Sequence, residues 1–396
     1  MAALCAVLGQ LGIEAVLEPV PRRGAGFGDL VVVPDINKPR IAIPARPRQA
    51  SRRALQRFSA DLPIRSRVQR LAAALAVGTL GSKPPLVNHQ LVIKSPASQG
   101  LIGHLQEIFG QQVLFSLSIG NERVNRKPVL QLFSASGKCL GYAKIGTSEL
   151  TARLVRAEAA ALEELNSRSW ETFRVPELIH AGSWNSNELL IMGFLPSAIS
   201  TRQKTLDKLR IQAQDELQCA FAATATALGE QEWWKELISS TAELAVRFEP
   251  AVRLARNLET ITRCFSATRL VPGASHGDWT AWNMAVYRGK LQVWDWERFD
   301  VGLPAGFDAL HYAMHRQISL TDVGKDRLLQ GLECSGVEDR ATQLAYLAHL
   351  CGRYLQGLSQ LKINATAQKA AALMDTIECI LGDLAHEESK PSTMDE

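Results

Sequence analysis

The sequence predicts an α+β fold made of a small antiparallel sheet followed by a larger helical region. Strand-like runs at 113–119, 129–133 and 139–145 have connections too short for a crossover helix, so we expect an antiparallel meander. From residue 201 onward most segments show helical periodicity, and the first of these helices is expected at 205–228. A strand-like hairpin at 284–294, with a glycine at its turn, interrupts these helices. Two lobes with different architectures are therefore expected.

Bulk composition narrows the possible functions. The chain has 396 residues, which is enough for two or three domains. Its net charge of +4 is too small to indicate a nucleic-acid partner or an anionic membrane. No apolar run reaches the roughly 18 residues that a membrane-spanning helix needs. The seven cysteines lack Cys-x-x-Cys spacing, which argues against a zinc site and favours a cytoplasmic location. The oligomeric state stays open.

Residues 1–95 form the part of the chain with the fewest functional signals. Two short apolar runs, at 29–34 and 39–44, predict a hairpin, and helices are expected at 51–58 and 65–76. We expect an extra N-terminal α/β region of unknown role, and one hypothesis is that it caps a substrate pocket. The remaining predicted domains are a sheet lobe at 96–196, a helical lobe at 197–386 and a disordered tail at 387–396.

The sheet lobe is predicted to contain five strands and one helix between them. An amphipathic helix at 150–165 follows the meander, and strand-like runs at 175–179 and 188–195 come after it. Lys144 lies near the end of the third strand, and Glu158 lies well inside the helix. Taken alone, Lys144 at a strand end could be an ordinary solvated residue, and Glu158 competes with Glu163 and Glu164 further along the same helix.

Three polar residues around the predicted hairpin form the strongest functional signal. Asp278 and Asn283 precede the hairpin, and Asp295 follows it between two tryptophans. Because a hairpin returns the chain to its starting point, Asp295 should lie beside the other two. A buried carboxylate is costly unless it is paired or bound to metal. Magnesium prefers such hard oxygen ligands, so the spacing predicts a metal–nucleotide site, although each residue alone could be an ordinary turn residue.

Three motifs in this region carry a resemblance to a known family. Residues 276–283 match the pattern His-Gly-Asp-x-x-x-x-Asn, and residues 294–297 match an apolar residue followed by Asp-Trp-Glu. Residues 302–310 look like a Gly-x-Pro…Asp-Leu-Ala segment with one extra residue. Over residues 110–385 the chain resembles the aminoglycoside phosphotransferase/choline kinase group of protein-kinase-like small-molecule kinases. The resemblance implies a bilobal protein-kinase-like fold.

The same resemblance implies an ATP- and Mg²⁺-dependent phosphotransferase with a small-molecule hydroxyl as acceptor. Sugars, amino sugars, amino alcohols and aminoglycosides are the acceptor classes of this group. Asp278 would accept or orient the hydroxyl proton, and His276 would brace the loop around it. Asn283 and Asp295 would hold Mg²⁺ against the β- and γ-phosphates.

The nucleotide-binding residues follow from the resemblance in the same way. Lys144 would contact the α- and β-phosphates and pair with Glu158. The run at 191–195 looks like the hinge between lobes, where backbone groups of Met192 and Phe194 would meet the adenine edge. The preference between ATP and GTP stays open.

The predicted phosphate loop at 120–127 departs from the family pattern. It contains one glycine instead of Gly-x-Gly-x-x-Gly, together with several cationic and amide side chains. Arg123 and Asn125 would then supply the phosphate contacts that backbone groups make elsewhere. The departure also keeps a second hypothesis open, in which the chain is a catalytically silent kinase-like nucleotide-binding or regulatory module.

Overall fold

The structure is a computed structural model that divides into two compact units. Unit 1 comprises Met1–Ser169, Arg174–Ser200 and Ala285–Glu297, and unit 2 comprises Trp170–Phe173, Thr201–Met284 and Arg298–Glu396. The structure describes residues 2–21, 26–33, 41–56, 64–82, 87–94, 100–118, 127–197, 202–318, 323–360 and 364–388.

Strands and helices alternate irregularly in the first half of the chain. In chain order these elements are α1 (Ala2–Gln10), β1 (Ala15–Pro19), β2 (Leu30–Val33), β3 (Ile41–Pro44), α2 (Arg48–Leu55), α3 (Ile64–Leu80), β4 (His89–Ile93), α4 (Gly100–Phe109), β5 (Val113–Ser118), β6 (Val129–Ser134), β7 (Cys139–Gly146), α5 (Glu149–Asn166), β8 (Phe173–Arg174), β9 (Leu178–Trp184) and β10 (Asn187–Gly193). The predicted meander is confirmed as β5, β6 and β7, which pair in antiparallel order.

One large sheet organises unit 1. Nine strands pair in the order β1-β4-β2-β3-β5-β6-β7-β10-β9 among the described residues. The predicted N-terminal hairpin is confirmed, since Leu30 of β2 lies opposite Pro44 of β3. Strand β3 also pairs with β5, with Ile41 opposite Ser118. The sheet is therefore larger than the five strands predicted for it, because strands from the first 95 residues extend its edge.

Successive apolar side chains of the strands point to opposite faces, so both faces of this sheet are apolar. Val113, Phe115 and Leu117 of β5 lie in a core with residues of α1 and α4. Leu114 lies in a second core with residues of α2 and α3. Successive strand residues point to opposite faces, so each face is covered by its own pair of helices.

Helix α5 is the element that places a charged residue under the sheet. A capping box between Ser148 and Thr151 starts the helix, because each side chain bonds the other residue's backbone N–H. The helix contacts β7, β9 and β10. Leu154 and Leu162 are buried, and Glu158 lies between them in sequence with none of its surface exposed. The predicted helix is confirmed with nearly the predicted bounds.

The second half of the chain is mainly helical. Its elements are α6 (Gln203–Ala220), β11 (Thr226–Ala227), a 3₁₀ turn (Leu228–Glu230), α7 (Glu232–Ala245), α8 (Pro250–Phe265), β12 (Arg269–Leu270), β13 (Pro272–Ser275), β14 (Met284–Tyr287), β15 (Lys290–Val293), β16 (Asp300–Pro304), α9 (Phe307–Gln317), α10 (Lys325–Glu333), α11 (Arg340–Gln360) and α12 (Asn364–Glu388). No described helix has both the length and the apolar character of a membrane span.

Helices α6 and α12 end at other residues than the sequence predicts. Helix α6 ends at Ala220, earlier than the predicted 228, because Thr226 pairs with Leu270 as strand β11. Tertiary pairing here overrides helix propensity. Helix α12 continues to Glu388, so the first two residues of the predicted tail are helical and residues 389–396 lie outside the described part.

The hairpin of β14 and β15 is confirmed. Arg288 and Gly289 link the two strands with φ values of +48° and +79°. Two successive residues with positive φ match the type I′ turn that suits the twist of a two-residue hairpin. The hairpin returns the chain to Asp295, and residues 285–297 belong to unit 1.

Candidate active site

Unit 1 gathers three of the predicted site residues around one ammonium group. Lys144 Nζ of β7 donates to both carboxylate oxygens of Glu158 at 2.6 Å and to Asp295 Oδ1 at 2.5 Å. Lys144 is 8% exposed and Glu158 is fully buried. Burial opposes the charge of Lys144, but Asp295 and Glu158 together outweigh it and raise the pKa of the ammonium above its ordinary value. Lys144 is therefore a fixed positive charge.

The backbone at Asp295 aims its carboxylate at this lysine. Asp295 has a φ of +71°, in the left-handed region that aspartate enters more readily than most residues. Trp296, the next residue, is fully buried and donates its indole N–H to Val293 O at 3.0 Å. Packing of Trp296 thus anchors the turn, and the Asp295 side chain stays 35% exposed.

A second lysine extends the charge cluster. Lys127 Nζ donates to Glu297 Oε2, and each side chain is 8% exposed. Carboxylate oxygens of Glu158, Asp295 and Glu297 lie within 4.8 Å of one another. Lys144 and Lys127 pair with these carboxylates, so unit 1 contains a compact group of oxygens whose negative charge the two lysines partly offset.

Unit 2 gathers the other predicted residues in the segment 276–283, called the Asp278 loop below. Asn283 Nδ2 donates to Asp278 Oδ2 and to the carbonyl of Asp278, both at 2.9 Å. This uses the amide nitrogen and leaves Asn283 Oδ1 as the atom that can serve a cation. His276 is fully buried, and its Nδ1 accepts the backbone N–H of Asp278 at 3.2 Å. These contacts fit a bracing role for His276.

Asp308 of α9 holds the start of the Asp278 loop. Its carboxylate accepts from the backbone N–H of His276 at 2.7 Å and of Gly277 at 3.0 Å, and from Ser275 Oγ at 2.8 Å. Burial raises the pKa of Asp308 to about 6 despite these three donors. Because α9 begins next to the loop, its first turn fixes the backbone on which Asp278 lies.

Gly277 is the one position in this loop where a side chain would not fit. Its φ is +73°, and a Cβ there would lie 2.4 Å from the carbonyl oxygen of Arg298. Arg353 of α11 donates to the Gly277 carbonyl at 2.7 Å. The backbone around Asp278 is therefore held from both α9 and α11.

A histidine that the sequence reasoning missed contacts Asp278 directly. His311 Nε2 of α9 lies 3.1 Å from Asp278 Oδ1. On the other side of the ring, Nδ1 lies 2.9 Å from the hydroxyl of Tyr346 on α11. Burial, followed by Arg353 and other nearby cations, lowers the pKa of His311 well below its ordinary value. The one available sequence signal was its position three residues after Asp308, on the same helix face.

The predicted adenine-contacting and phosphate-contacting residues are only partly described. Met192 is a buried β10 residue that lies opposite Tyr142 in β7. Phe194 follows β10 and is 45% exposed, with its ring centroid 6.5 Å from that of Tyr142. Arg123 and Asn125 lie outside the described residues, so their predicted roles stay predictions.

Comparison with known proteins adds a structural likeness. No family model matches the sequence, and no curated protein matches it. Among solved structures, aminoglycoside phosphotransferase APH(4)-Ia is 13% identical with a TM-score of 0.50, covering 71% of this chain and 97% of that one. A putative fructosamine-3-kinase from Haemophilus somnus 129PT is 14% identical with a TM-score of 0.42, covering 69% and 95%.

The amicoumacin kinase hAmiN, solved in complex with AMP-PNP, Ca²⁺ and Ami, is 13% identical with a TM-score of 0.41, covering 69% of this chain and 92% of that one. These structural neighbours are all protein-kinase-like small-molecule kinases. The likeness to APH(4)-Ia spans nearly all of that protein, and it confirms the predicted fold. This chain has the protein-kinase-like fold of the aminoglycoside phosphotransferases.

Proposed function

We propose that this protein is an ATP- and Mg²⁺-dependent phosphotransferase that moves the γ-phosphate to a hydroxyl group of a small molecule. The observation that supports this most is the contact of Lys144 with both Glu158 and Asp295. A lysine that pairs with a helix carboxylate, and a metal-binding aspartate, are parts that kinases require. Here they come from three separate segments of the chain.

Asp278 is proposed as the group that accepts the acceptor's proton. As the acceptor oxygen bonds to the γ-phosphorus, its O–H bond breaks, the proton passes to Asp278, and ADP leaves with the electrons of the broken P–O bond. The reaction consumes ATP and an alcohol and yields ADP, a phosphate ester and a proton. His276 braces the loop rather than transferring this proton, because its Nδ1 already accepts a backbone N–H.

The proposed metal ligands have suitable chemistry. Asn283 offers its amide oxygen and Asp295 its carboxylate, and hard oxygen donors of this kind suit Mg²⁺. Bound Mg²⁺ would neutralise charge on the β- and γ-phosphates. Lys144, oriented by Glu158, would contact the α- and β-phosphates, and Arg123 and Asn125 would contact phosphate oxygens from the preceding loop. The backbone of Met192 and Phe194 would bind adenine.

For the acceptor we propose a range of chemical classes and no single compound. Solved neighbours are complexes with hygromycin B, streptomycin or amicoumacin, and another is a putative fructosamine-3-kinase. The small molecules named there are sugar-containing or amine-bearing alcohols. They suit the predicted acceptor classes, which are sugars, amino sugars, amino alcohols and aminoglycosides. A shared fold does not fix the acceptor, because specificity depends on the site.

The test is Mg²⁺-dependent release of ADP from ATP. It is measured with water as the acceptor and then with hygromycin B, streptomycin, amicoumacin and a fructosamine. Asp278→Asn should lower turnover by a factor on the order of 10²–10⁴, because a positioned base is removed. The exposed Asp383 in α12 gives a matched control, and Asp383→Asn should leave turnover unchanged.

Two outcomes would contradict the proposal. Equal turnover in wild type and Asp278→Asn would remove the catalytic assignment. Binding of ATP without ADP release under any of these conditions would favour the silent nucleotide-binding module instead.

A further inference from the structure

The carboxylate of Asp278 is held at both oxygens by neutral groups. Asn283 Nδ2 lies 2.9 Å from Oδ2, and His311 Nε2 lies 3.1 Å from Oδ1. Each carboxylate oxygen can accept more than one hydrogen bond, so both keep a lone pair for a further donor. The two contacts fix the plane of the carboxylate without closing it to a substrate.

The direction of the hydrogen bonds along His311 follows from its neighbours. The Tyr346 hydroxyl lies 2.9 Å from Nδ1, and burial raises the pKa of Tyr346 well above its ordinary value, so this hydroxyl keeps its proton. A neutral imidazole that carries its proton on Nδ1 would turn the Nε2 lone pair toward the Asp278 carboxylate, and these two would repel each other. The favourable arrangement is Tyr346 O–H donating to Nδ1 and His311 Nε2–H donating to Asp278 Oδ1.

Burial keeps both the His311 ring and the Tyr346 hydroxyl neutral. His311 is 2% exposed and Tyr346 is 3% exposed. The His315 ring stacks on the His311 ring with centroids 4.3 Å apart. The charged and titratable groups that act on His311 come from the Asp278 loop, α9, α11 and α12, and they are His276, Asp278, His315, Tyr346, His349, Arg353 and Lys369. Its cationic neighbours oppose a second proton on the ring.

Neutrality matters for the proposed chemistry. A protonated histidine beside Asp278 would stabilise the carboxylate strongly and make it a weaker base. A neutral N–H donor orients the same carboxylate and lowers its basicity less. We propose that His311, held in its Nε2–H form by Tyr346, is a positioning residue that orients the Asp278 carboxylate toward the acceptor hydroxyl. This proposal rests on the proposed function and assigns a role to two residues outside the family motifs.

The first experiment measures kcat and the KM for ATP with Mg²⁺–ATP and water as the acceptor. His311→Leu removes the donor and should lower kcat about 10- to 100-fold, with the KM for ATP changed less than about twofold, as expected for lost orientation. A general structural defect would instead raise the KM for ATP as well.

Three further variants sharpen this test. His311→Gln places an amide N–H near the position of Nε2 and should restore part of kcat. Tyr346→Phe, which changes one buried hydroxyl, should lower kcat by a smaller factor than His311→Leu. His104→Gln is the matched control and should leave kcat unchanged, because His104 lies on α4 in unit 1, where its ring contacts that of His180.

The second experiment needs no activity. ¹⁵N NMR of histidine-labelled wild-type protein at pH 7 should show one buried imidazole, assigned through His311→Gln, with its proton on Nε2. Tyr346→Phe should change the shift of that ring. A proton on Nδ1, or a charged ring at pH 7, would overturn the proposal whether or not the protein releases ADP.

Different results would overturn the proposed function and the role of His311. Full turnover in Asp278→Asn would remove the proposed function. Loss of turnover in Asp278→Asn together with wild-type kcat in a folded His311→Leu would overturn only the role of His311.

Discussion

Glu158 illustrates how a buried carboxylate depends on a single hydrogen-bond donor. Its carboxylate is fully buried, and both of its oxygens accept from Lys144 Nζ. Lys144 has a second acceptor in Asp295, whereas Glu158 shares this one ammonium. Removing one member of a buried ion pair leaves the other charge uncompensated, which costs more than the pair contributes.

We therefore expect Lys144→Met to be more destabilising than Glu158→Gln. The first change leaves Glu158 buried without its ammonium and should lower the free energy of unfolding by about 3–5 kcal/mol. The second leaves Lys144 bonded to Asp295 and should cost less. Urea denaturation of the two variants measures the difference.

Lys138, an exposed residue in the turn between β6 and β7, offers the control. Lys138→Met should change the free energy of unfolding by less than about 0.5 kcal/mol. An equal loss in Lys138→Met and Lys144→Met would contradict this account of the buried pair.

The sequence pattern predicts Asp278 and Asn283 but not the residues that contact them. Asp278 and Asn283 are five residues apart in one loop, so their spacing could be read without knowledge of the fold. The contact of His311 with Asp278 and Tyr346 depends on how α9 packs against α11. Helix periodicity predicts both helices but not their crossing, so His311 looked like any core histidine.

At the level of elements, the turn from β7 into α5 determines where Glu158 meets Lys144. Gly146 ends β7, and Ser148 caps α5 two residues later. A Cβ on Gly146 would lie 2.5 Å from the Cα of Ala152, so strand and helix approach more closely here than any side chain allows. Glycine is required for this close approach, even though its φ is not in the left-handed region.

Gly146→Ala should therefore lower stability by about 1–3 kcal/mol or more, because the helix must move away from the strand. Differential scanning calorimetry measures the shift in melting temperature. Gly9→Ala in α1 is the matched control, since nothing lies within 4 Å of its added Cβ, and it should be neutral or stabilise by about 1 kcal/mol. Similar melting temperatures for the two variants would show that β7 and α5 separate freely.

Local sequence patterns predict some of these elements but not the ones that depend on distant partners. The β14–β15 hairpin was predictable because Arg288 and Gly289 give a local turn signal. Strands β1 and β4 were not predicted, because they pair with each other across more than 70 residues and no local pattern specifies that partner. Propensity likewise extended α6 too far, past the point where Thr226 finds a strand partner.

For the whole molecule, the N-terminal region is integrated into unit 1. Leu4 and Leu8 of α1, and Leu11 just after it, share one core with Leu101 and Leu105 of α4. Strand β3 covers one edge of β5. Removing residues 1–95 would expose this core and leave an open strand edge, which is a template for aggregation.

A truncated protein lacking residues 1–95 should therefore be insoluble or aggregated, as measured by size-exclusion chromatography with light scattering. Leu17→Ser, on the exposed side of β1, is the control that keeps the sheet intact and should behave as wild type. A monodisperse truncated protein would contradict this expectation. It would also allow the cap hypothesis to be tested, through the affinities for acceptor and for ATP.

The position of Asp295 in the chain has a consequence for how the protein is made. Unit 1 takes residues from three separate segments, the last of them Ala285–Glu297. Translation proceeds at about 5–20 residues per second, so Asp295 leaves the ribosome roughly 8–30 s after Lys144. During that interval Glu158 is the only one of the two carboxylate partners of Lys144 that has been synthesised, and nearly half of unit 2 is synthesised before unit 1 can be completed.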